Sequence, residues 1–196
     1  MTNSGPDERS VPRRRRDAAA TREAILRSAL VAFTRSGYDG VGVREIAQAA
    51  GVTAMLVNRY FGSKEQLFAE VVDVAFAEPV LLGEDVTTLA GDVATGLVSR
   101  TAPGRVDGFL LMLRSAANPR SARILRDGVE RHYGRRLAAL LPGARADERA
   151  ALFLSLIAGV QLMRDVLDLP ALADAGPAGI EALFRLLIEP PPAKKA

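Results

Sequence analysis

A helix-spaced set of side chains between Ala54 and Arg59 offers hydrogen-bonding chemistry. Ala54 and Asn58 lie four residues apart, as do Met55 and Arg59, and on a helix this spacing places all four on one face. An asparagine amide can pair with an adenine edge, and an arginine guanidinium can pair with a guanine edge or a phosphate. The same face would suit an ordinary solvated surface helix, so the four residues by themselves leave both interpretations open.

The residues before this set predict two short helices joined by a tight turn. An apolar stripe at helical spacing is formed by Val43, Ile46, Ala47 and Ala50. Gly51 tolerates the positive φ that the turn requires, and Thr53 can cap the start of the next helix. The second helix is too short to be stable by itself, so it must pack on its neighbours. The sequence therefore predicts a helix-turn-helix, which favours the nucleic-acid interpretation.

The flanking sequence predicts one helix before the pair and one after it. The first extends from about Asp17 to Ser36. The other begins with a capping box formed by Ser63 and Gln66 and continues to about Ala77. Because this last helix starts beside the second helix of the pair, a shift along it would move the exposed polar face.

Three segments resemble the DNA-binding domain of the tetracycline-repressor (TetR) family of transcriptional regulators. They are T-R-E-A-I-L-R-S-A-L-V-A-F-T-R-S-G-Y at 21–38, the pattern G-x-x-x-x-x-x-R-x-I-A-x-x-A-G-V from Gly37 to Val52, and Y-F-G-S-K-E-Q-L-F from Tyr60 to Phe68. A match of this extent is more specific than a lone short motif. The resemblance implies an all-α homodimer with an N-terminal three-helix DNA-binding domain. It also implies a larger C-terminal helical domain that dimerises and usually binds a small ligand.

The resemblance further implies which residues contact double-stranded DNA. They are Arg44, Thr53, Ala54, Met55, Asn58, Arg59, Tyr60 and Lys64. Two positions depart from the family pattern: Gly42 stands where a Thr or Ser usually caps the helix, and Asn58 stands where an aromatic is usual. These departures concern details of DNA contact, whereas the fold is expected to follow the family.

Composition fits a globular chain of one or two domains. The 196 residues are 48% hydrophobic and 25% charged, with a net charge of +3. The sequence has no cysteine and no metal-binding spacing, phosphate-binding loop or nucleophile elbow. We therefore expect no enzyme activity, cofactor or metal. The longest apolar run, Ala150–Val160, is too short to span a membrane, and the N-terminus lacks an apolar signal core, so a cytoplasmic protein without a membrane partner is expected.

The N-terminal segment is strongly basic. Residues 1–16 contain few apolar side chains and end in four consecutive arginines, Arg13–Arg16. We expect a disordered basic arm there, followed by the DNA-binding domain at 17–62. Such runs are usually solvated. Next to a DNA-binding domain, however, arginines can add phosphate contacts or enter a minor groove, so both interpretations stay open.

The pattern remains helical after a connecting helix at 63–78 and through a C-terminal domain at 79–190. Proline and glycine breaks predict helices near 84–101, 105–117, 120–141, 146–168 and 177–189. The tail at 191–196 is expected to be loose. No alternation typical of strands occurs, so the sequence predicts an all-α fold of about nine helices.

The last two predicted helices are more apolar than surface helices usually are. A helix that needs apolar cover on several sides lies in a core or at a subunit interface. In the resembled family the last two helices form a four-helix dimer interface, so a homodimer through these two helices is expected. The expected interface residues are Leu156, Gly159, Val160, Leu183, Phe184 and Leu187.

The C-terminal domain contains a few aromatic and thioether side chains that could line an apolar pocket. The candidates are Phe109, Met112, Phe153 and Met163, although apolar residues at helical spacing are more often plain core. The single histidine, His132, fits a partly exposed helical residue better than a ligand contact. The sequence therefore predicts a repressor that binds a palindromic operator and is released by a small, largely apolar molecule. The alternative is a dimeric DNA-binding protein whose C-terminal domain only dimerises or binds a protein partner.

Overall fold

The computed structural model describes residues 10–77, 85–99 and 107–189. Within these ranges the chain is all-α, with eleven α-helices and two π-helical turns. The helices are α1 (Ser10–Ser36), α2 (Val43–Ala49), α3 (Ala54–Phe61), α4 (Lys64–Phe76), α5 (Val86–Val98), α6 (Gly108–Ser115), α7 (Pro119–Val129), α8 (Arg135–Leu140), α9 (Ala146–Gln161), α10 (Pro170–Ala173) and α11 (Pro177–Ile188).

The first helix starts earlier than the sequence predicts. α1 begins at Ser10 rather than at Asp17, so Arg13–Arg16 are helical. Pro12 falls in the first turn, where the absent proline N–H has no intrahelical partner to lose. The expected disordered arm is therefore wrong for residues 10–16. Its first nine residues, like the loose tail expected at 191–196, lie outside the described residues.

The chain divides into two compact units whose boundaries differ from the expected ones. The first unit comprises residues up to Val71 together with Leu110–Ile124, and the second comprises Val72–Phe109 together with the residues from Leu125 onward. One boundary thus falls inside α4, between Val71 and Val72. The segment Leu110–Ile124, which we call the α6–α7 corner, was expected in the C-terminal domain. It joins the first unit because its polar groups hydrogen-bond to the end of α1 and the start of α4.

Three aromatic rings organise the core of the first unit. Phe33 and Phe68 are fully buried, and their rings meet edge to face with centroids 5.1 Å apart. Tyr38 packs on Phe68 at 5.0 Å and stacks on Phe33 at 6.1 Å. These contacts tie the C-terminal half of α1 and the residues just after it to α4, and α2 and α3 pack on α1 and on each other. Edge-to-face pairs add to the stability that burial provides.

The second unit has its own apolar core, built from α5, α8, α9 and α11. Phe153 of α9 and Phe184 of α11 are both fully buried there, with ring centroids 4.5 Å apart. The guanidinium of Arg149 is also buried, and it donates to the carbonyl oxygens of Pro142 and of Ile188, the latter at 2.9 Å. A buried cation requires such partners, so Arg149 fixes the C-terminal end of α11 beside α9.

Two π-helical turns interrupt helices that the sequence predicts as continuous. Glu130–Gly134 separates α7 from α8 inside the segment expected as one helix at 120–141, and Leu162–Val166 follows α9. His132 lies in the first turn, half-buried, with its Nε2 3.0 Å from Oδ1 of Asp73. Arg131 donates to the same carboxylate oxygen at 2.5 Å. His132 therefore has a structural partner within the unit.

Among the residues that the structure describes, none of the helices is both long enough and apolar enough to cross a membrane.

Candidate nucleic-acid interface

The turn before α3 has the backbone geometry that the sequence predicts. Gly51 adopts φ +69°, and a Cβ built there would meet nothing within 4 Å, so the backbone conformation rather than lack of space requires glycine. Thr53 follows with extended backbone, and its hydroxyl oxygen accepts from the N–H of Leu56 at 3.4 Å. α3 therefore begins at a capped residue directly after the turn.

α3 separates a buried face from an exposed one. Val57 and Phe61 are buried against the rest of the first unit. Five of the eight predicted DNA contacts are exposed: Arg44, Thr53, Met55, Asn58 and Arg59. Met55 is 79% exposed, a large value for a thioether side chain in the middle of a folded unit. The remaining three, Ala54, Tyr60 and Lys64, are half-buried.

The end of α3 places Lys64 at the start of α4. Gly62 adopts φ +75° and its N–H donates to the carbonyl of Asn58 at 2.8 Å, which closes α3. The hydroxyl oxygen of Ser63 then accepts from the N–H of Gln66 at 3.2 Å. This contact confirms the Ser63 half of the predicted capping box, and α4 begins at Lys64 with its free N–H groups facing the same end.

The start of α2 lacks the side-chain cap that the family pattern supplies. Gly42 is the N-cap residue, with φ −99° and no side-chain hydrogen bond to the helix. A Cβ built at Gly42 would meet nothing within 4 Å, so neither φ nor space requires glycine here. Arg44 lies in the first turn of this uncapped helix and remains exposed.

Lys64 rests on a side-chain cluster that sequence reasoning did not find. Its Nζ lies 4.4 Å from the ring centroid of Tyr38, within range of a cation–π interaction. Burial raises the pKa of Tyr38 to about 12, with the nearby Glu65 adding to the effect, and the phenol donates to Glu65. Glu65 also accepts from Nη1 of Arg120 at 3.2 Å. Arg120 is far from Glu65 in sequence, so no local spacing pairs them.

The pKa of Glu65 is held below its ordinary value. The main cause is the hydrogen bond from its own backbone N–H in the first turn of α4, with Ser63, Tyr38 and Arg120 contributing further hydrogen bonds. The carboxylate is thus ionised beside Lys64 at neutral pH. The charge at the N-terminal end of α4 is therefore set by Lys64, Glu65 and Arg120 together.

Arg22 of α1 forms a second cation–π contact, with Phe61 at the end of α3. The guanidinium of Arg22 lies 4.8 Å from the ring centroid of Phe61 and pairs with the carboxylate of Glu70. Phe61 is buried, so the contact holds the last turn of α3 between α1 and α4. α3 is short, and these contacts supply the packing that it needs.

The expected dimer residues divide into core and surface. Phe184 is fully buried against Phe153 in the core of its own chain, so its assignment to a subunit interface is wrong: the residue faces inward on α11. Leu183 is 52% exposed, whereas Leu156, Val160 and Leu187 are half-buried at the edge of the core. A Cβ built at Gly159 would meet nothing within 4 Å, so packing within the chain does not require this glycine.

The structure adds two leucines to the exposed apolar surface. Leu152 of α9 is 51% exposed and Leu186 of α11 is 70% exposed. Both lie at helical spacing from predicted residues, Leu152 four before Leu156 and Leu186 three after Leu183, so the periodicity contains a signal for them.

The four predicted ligand residues occupy different surroundings. Phe153 is fully buried in the core of the second unit, whereas Met163 is 40% exposed in the π-helical turn after α9. Phe109 is half-buried in the second unit, and Met112 belongs to the α6–α7 corner of the first unit. Met112 lies in the segment whose polar groups hydrogen-bond to the end of α1 and the residues after it.

A shallow groove of about 300 Å³ lies on the first unit. It is open to solvent, and its lining comes from α1 and α2: Arg27, Ser28, Val31, Ala32, Arg35, Glu45 and Ala49. Arg35 and Glu45 bridge its rim at 3.6 Å. The groove contains none of the predicted ligand residues.

A short capped helix that follows a glycine turn and exposes cations and amides defines a helix-turn-helix DNA-binding regulator. Residues 25–71 match the family described as "Bacterial regulatory proteins, tetR family", and residues 88–189 match the description "Tetracyclin repressor-like, C-terminal domain". The chain belongs to the TetR family of transcriptional regulators.

Curated relatives agree with this assignment. The chain is 41% identical over 83 residues to the HTH-type transcriptional regulatory protein RaaS of Mycobacterium tuberculosis, a match covering 42% of this chain and 38% of RaaS. It is 31% identical over 154 residues to the HTH-type transcriptional regulator Mb3439c of Mycobacterium bovis, covering 74% of this chain and 76% of the relative. Against NicS of Pseudomonas putida the match spans only 30% of the relative. Several matches are thus confined to a part of the relative.

A solved structure shows the same fold. The multidrug binding protein EbrR complexed with imidazole superposes with a TM-score of 0.65 and 21% identity, covering 88% of this chain and 92% of EbrR. The similarity therefore includes helices of both units.

Proposed function

We propose that the chain is a repressor that binds a palindromic operator as a homodimer and is released by a small, largely apolar ligand. The observation that carries the DNA-binding part is the exposed face of α3, with Met55, Asn58 and Arg59 directed away from the buried Val57 and Phe61. A face of this size and polarity fits a major groove.

The exposed residues divide into base-reading and phosphate-binding groups. Asn58 and Arg59 carry side chains that pair with base edges, and the exposed Met55 offers an apolar surface to a thymine methyl group. Arg44, Thr53, Tyr60 and Lys64 lie at the starts of α2, α3 and α4 or at the end of α3, where donors suit phosphates. Base contacts would set the operator sequence, and phosphate contacts would set the orientation.

The N-terminal turns of α1 supply a further candidate contact with DNA. Arg13–Arg16 follow one another in the first turns of α1. Arginines on a helix next to a DNA-binding unit can neutralise phosphates or enter a minor groove. Replacing Arg13–Arg16 by glutamine and measuring the salt dependence of DNA affinity tests this part: an unchanged slope would show a solvated helix.

Exposed leucines on α9 and α11 support the homodimer. Leu152, Leu183 and Leu186 are each at least half exposed, and Gly159 leaves open space on the same helix as Leu152. Apolar surface that a monomer leaves in water favours association with a second copy. Two copies related by a twofold axis would present two α3 helices, which requires an inverted repeat in the operator. Light scattering tests this part, and a monomer at micromolar concentration would contradict it.

Ligand release is supported by similarity to the EbrR fold and by the continuity of α4. EbrR has been solved with imidazole bound. In this chain α4 continues from Lys64 to Phe76, and the division between the units falls inside it. A ligand bound to the second unit would change DNA affinity only by binding one arrangement better than the other, typically by about 1–3 kcal/mol.

One experiment tests the function as a whole. The chain is used to select sequences from genomic DNA, and its complex with the selected duplex is then titrated with an uncharged, largely apolar dye such as Nile red. Recovery of an inverted repeat and displacement by the dye support the proposal. Failure to enrich any sequence would contradict DNA reading by α3. Tight, sequence-specific binding that no apolar compound weakens would favour the alternative, a dimeric DNA-binding protein whose C-terminal domain only dimerises or binds a protein partner.

A further inference from the structure

The α6–α7 corner is fastened to the loop after α1 by a set of polar contacts. The hydroxyl oxygen of Ser115 accepts from the backbone N–H of Tyr38 at 3.0 Å in a buried position. Nδ2 of Asn118 donates to Oδ1 of Asp39 at 2.8 Å, and Nη1 of Arg114 donates to the carbonyl of Thr34 at 2.6 Å. These contacts fix where α7 begins relative to Tyr38, and Arg120 lies in the first turn of α7.

From this anchored corner a line of contacts leads to Lys64. Arg120 donates to Glu65 at 3.2 Å, and Glu65 accepts from the Tyr38 phenol. The ring of Tyr38, buried between Phe33 and Phe68, supports the Lys64 ammonium at 4.4 Å. Each member is held by the one before it, so the position of a predicted phosphate contact depends on a helix outside the helix-turn-helix.

Arg120 also neutralises the carboxylate of Glu65 beside Lys64. Glu65 follows Lys64 directly, in the first turn of α4, and a carboxylate there would repel a phosphate that approaches Lys64. Arg120 pairs with that carboxylate on the side where α7 begins. Without Arg120 the unpaired carboxylate would both oppose DNA and lose one of the contacts that fix the Tyr38 phenol.

We propose that Arg120 is a positioning residue for DNA binding, which holds Glu65 away from the phosphate backbone and keeps Lys64 seated on Tyr38 for phosphate contact. The inference rests on the proposed function and deepens it. It assigns the α6–α7 corner a role in DNA binding, although the corner itself does not contact DNA. Arg120 and Glu65 are partly exposed, so the expected effect is modest.

The test is a double-mutant cycle on a duplex that the wild-type chain selects from random-sequence DNA. Arg120→Ala should weaken binding about two- to fivefold, and Lys64→Ala should weaken it about five- to tenfold and flatten the salt dependence. In the Lys64→Ala background, Arg120→Ala should cause a smaller loss than in the wild type, because the Lys64 contact is already gone and only the repulsion between Glu65 and the phosphate can still increase. Arg120→Lys, which retains the ion pair, should restore affinity to within about twofold of wild type.

Arg123→Ala is the matched control. It removes the same charge from an exposed position on the same helix, so it reports the long-range effect of lost charge alone. Glu65→Gln supplies a second background: it removes the carboxylate that Arg120 balances, so Arg120→Ala should have little effect there. Thermal unfolding of each variant shows whether the fold persists, and if Arg120→Ala unfolds, Arg120→Lys and Glu65→Gln carry the comparison.

Two outcomes would overturn the inference. Losses that add in full in both the Lys64→Ala and the Glu65→Gln background would mean that Arg120 contacts DNA itself. An equal loss from Arg123→Ala would mean that only net charge matters. If the wild-type chain selects no sequence at all, the proposed function fails first, so the two failures are distinguishable.

Discussion

The two units expose side chains of different chemical character. The first exposes donors and cations around α3 and supports them with polar side-chain contacts such as those of Arg22 and Arg120. The second has an apolar core around Phe153 and Phe184 and leaves leucines exposed on the outside of the same helices. One surface is suited to a charged partner and the other to an apolar one, so the positions of charge and of apolar area predict two separate binding events.

The largest expected effect is a loss of stability in the apolar core of the second unit. Phe184→Ala removes a fully buried ring that packs on Phe153, so it should lower the free energy of unfolding by about 3–5 kcal/mol. Chemical denaturation followed by circular dichroism measures this loss. A loss below about 1 kcal/mol would contradict a stabilising role for the packing of Phe184 on Phe153.

A smaller effect is expected from its exposed neighbours on α11. Leu183→Asp combined with Leu186→Asp places charges in the proposed interface and should weaken association by about 2–3 kcal/mol while leaving the fold intact. Sedimentation equilibrium measures the dimer constant. Leu113→Asp, compared with Leu186→Asp alone, is the matched control, because it places one such charge at an exposed leucine of α6. If the control dissociates the dimer equally, the interface lies elsewhere.

Removing a base contact should have a smaller effect than disrupting the dimer. Arg59→Ala should weaken binding to the selected operator by about 1–3 kcal/mol and relax specificity at one base position. Competition between the operator and single-base variants measures both effects. Uniform weakening on every duplex, without relaxed specificity, would assign Arg59 to a phosphate instead.

The smallest expected effect concerns the uncapped start of α2. Gly42→Ser supplies the missing cap at a position where φ and space permit a side chain, so it should stabilise the chain by a few tenths of a kcal/mol, about 0.3. Thermal unfolding compares the variant with wild type. A destabilised variant would show that Gly42 is needed for a reason other than backbone conformation.

Local sequence patterns predicted the elements well and the long-range contacts poorly. The turn at Gly51, the cap at Thr53 and the Ser63 contact all follow from residues within four positions of each other, and the structure contains each of them. Phe184 was misplaced because helical periodicity identifies an apolar residue without saying whether it faces its own chain or a second copy.

Contacts between distant segments carried no such signal. Arg120 and Glu65 are 55 residues apart, and both are common surface residues whose pairing depends on how the α6–α7 corner folds back. The early start of α1 also escaped prediction, because a run of arginines is typical of a solvated arm and says little about backbone conformation.

The division of the chain has a consequence for the order of folding. The first unit is discontinuous, since the backbone N–H of Tyr38 donates a buried hydrogen bond to the hydroxyl oxygen of Ser115, which lies 77 residues later. A nascent chain that has emerged only to the end of α4 therefore lacks the corner that completes this unit. Closing so long a loop is slow compared with forming local helices. During synthesis, the surface around Tyr38 should remain available to chaperones until α7 has left the ribosome.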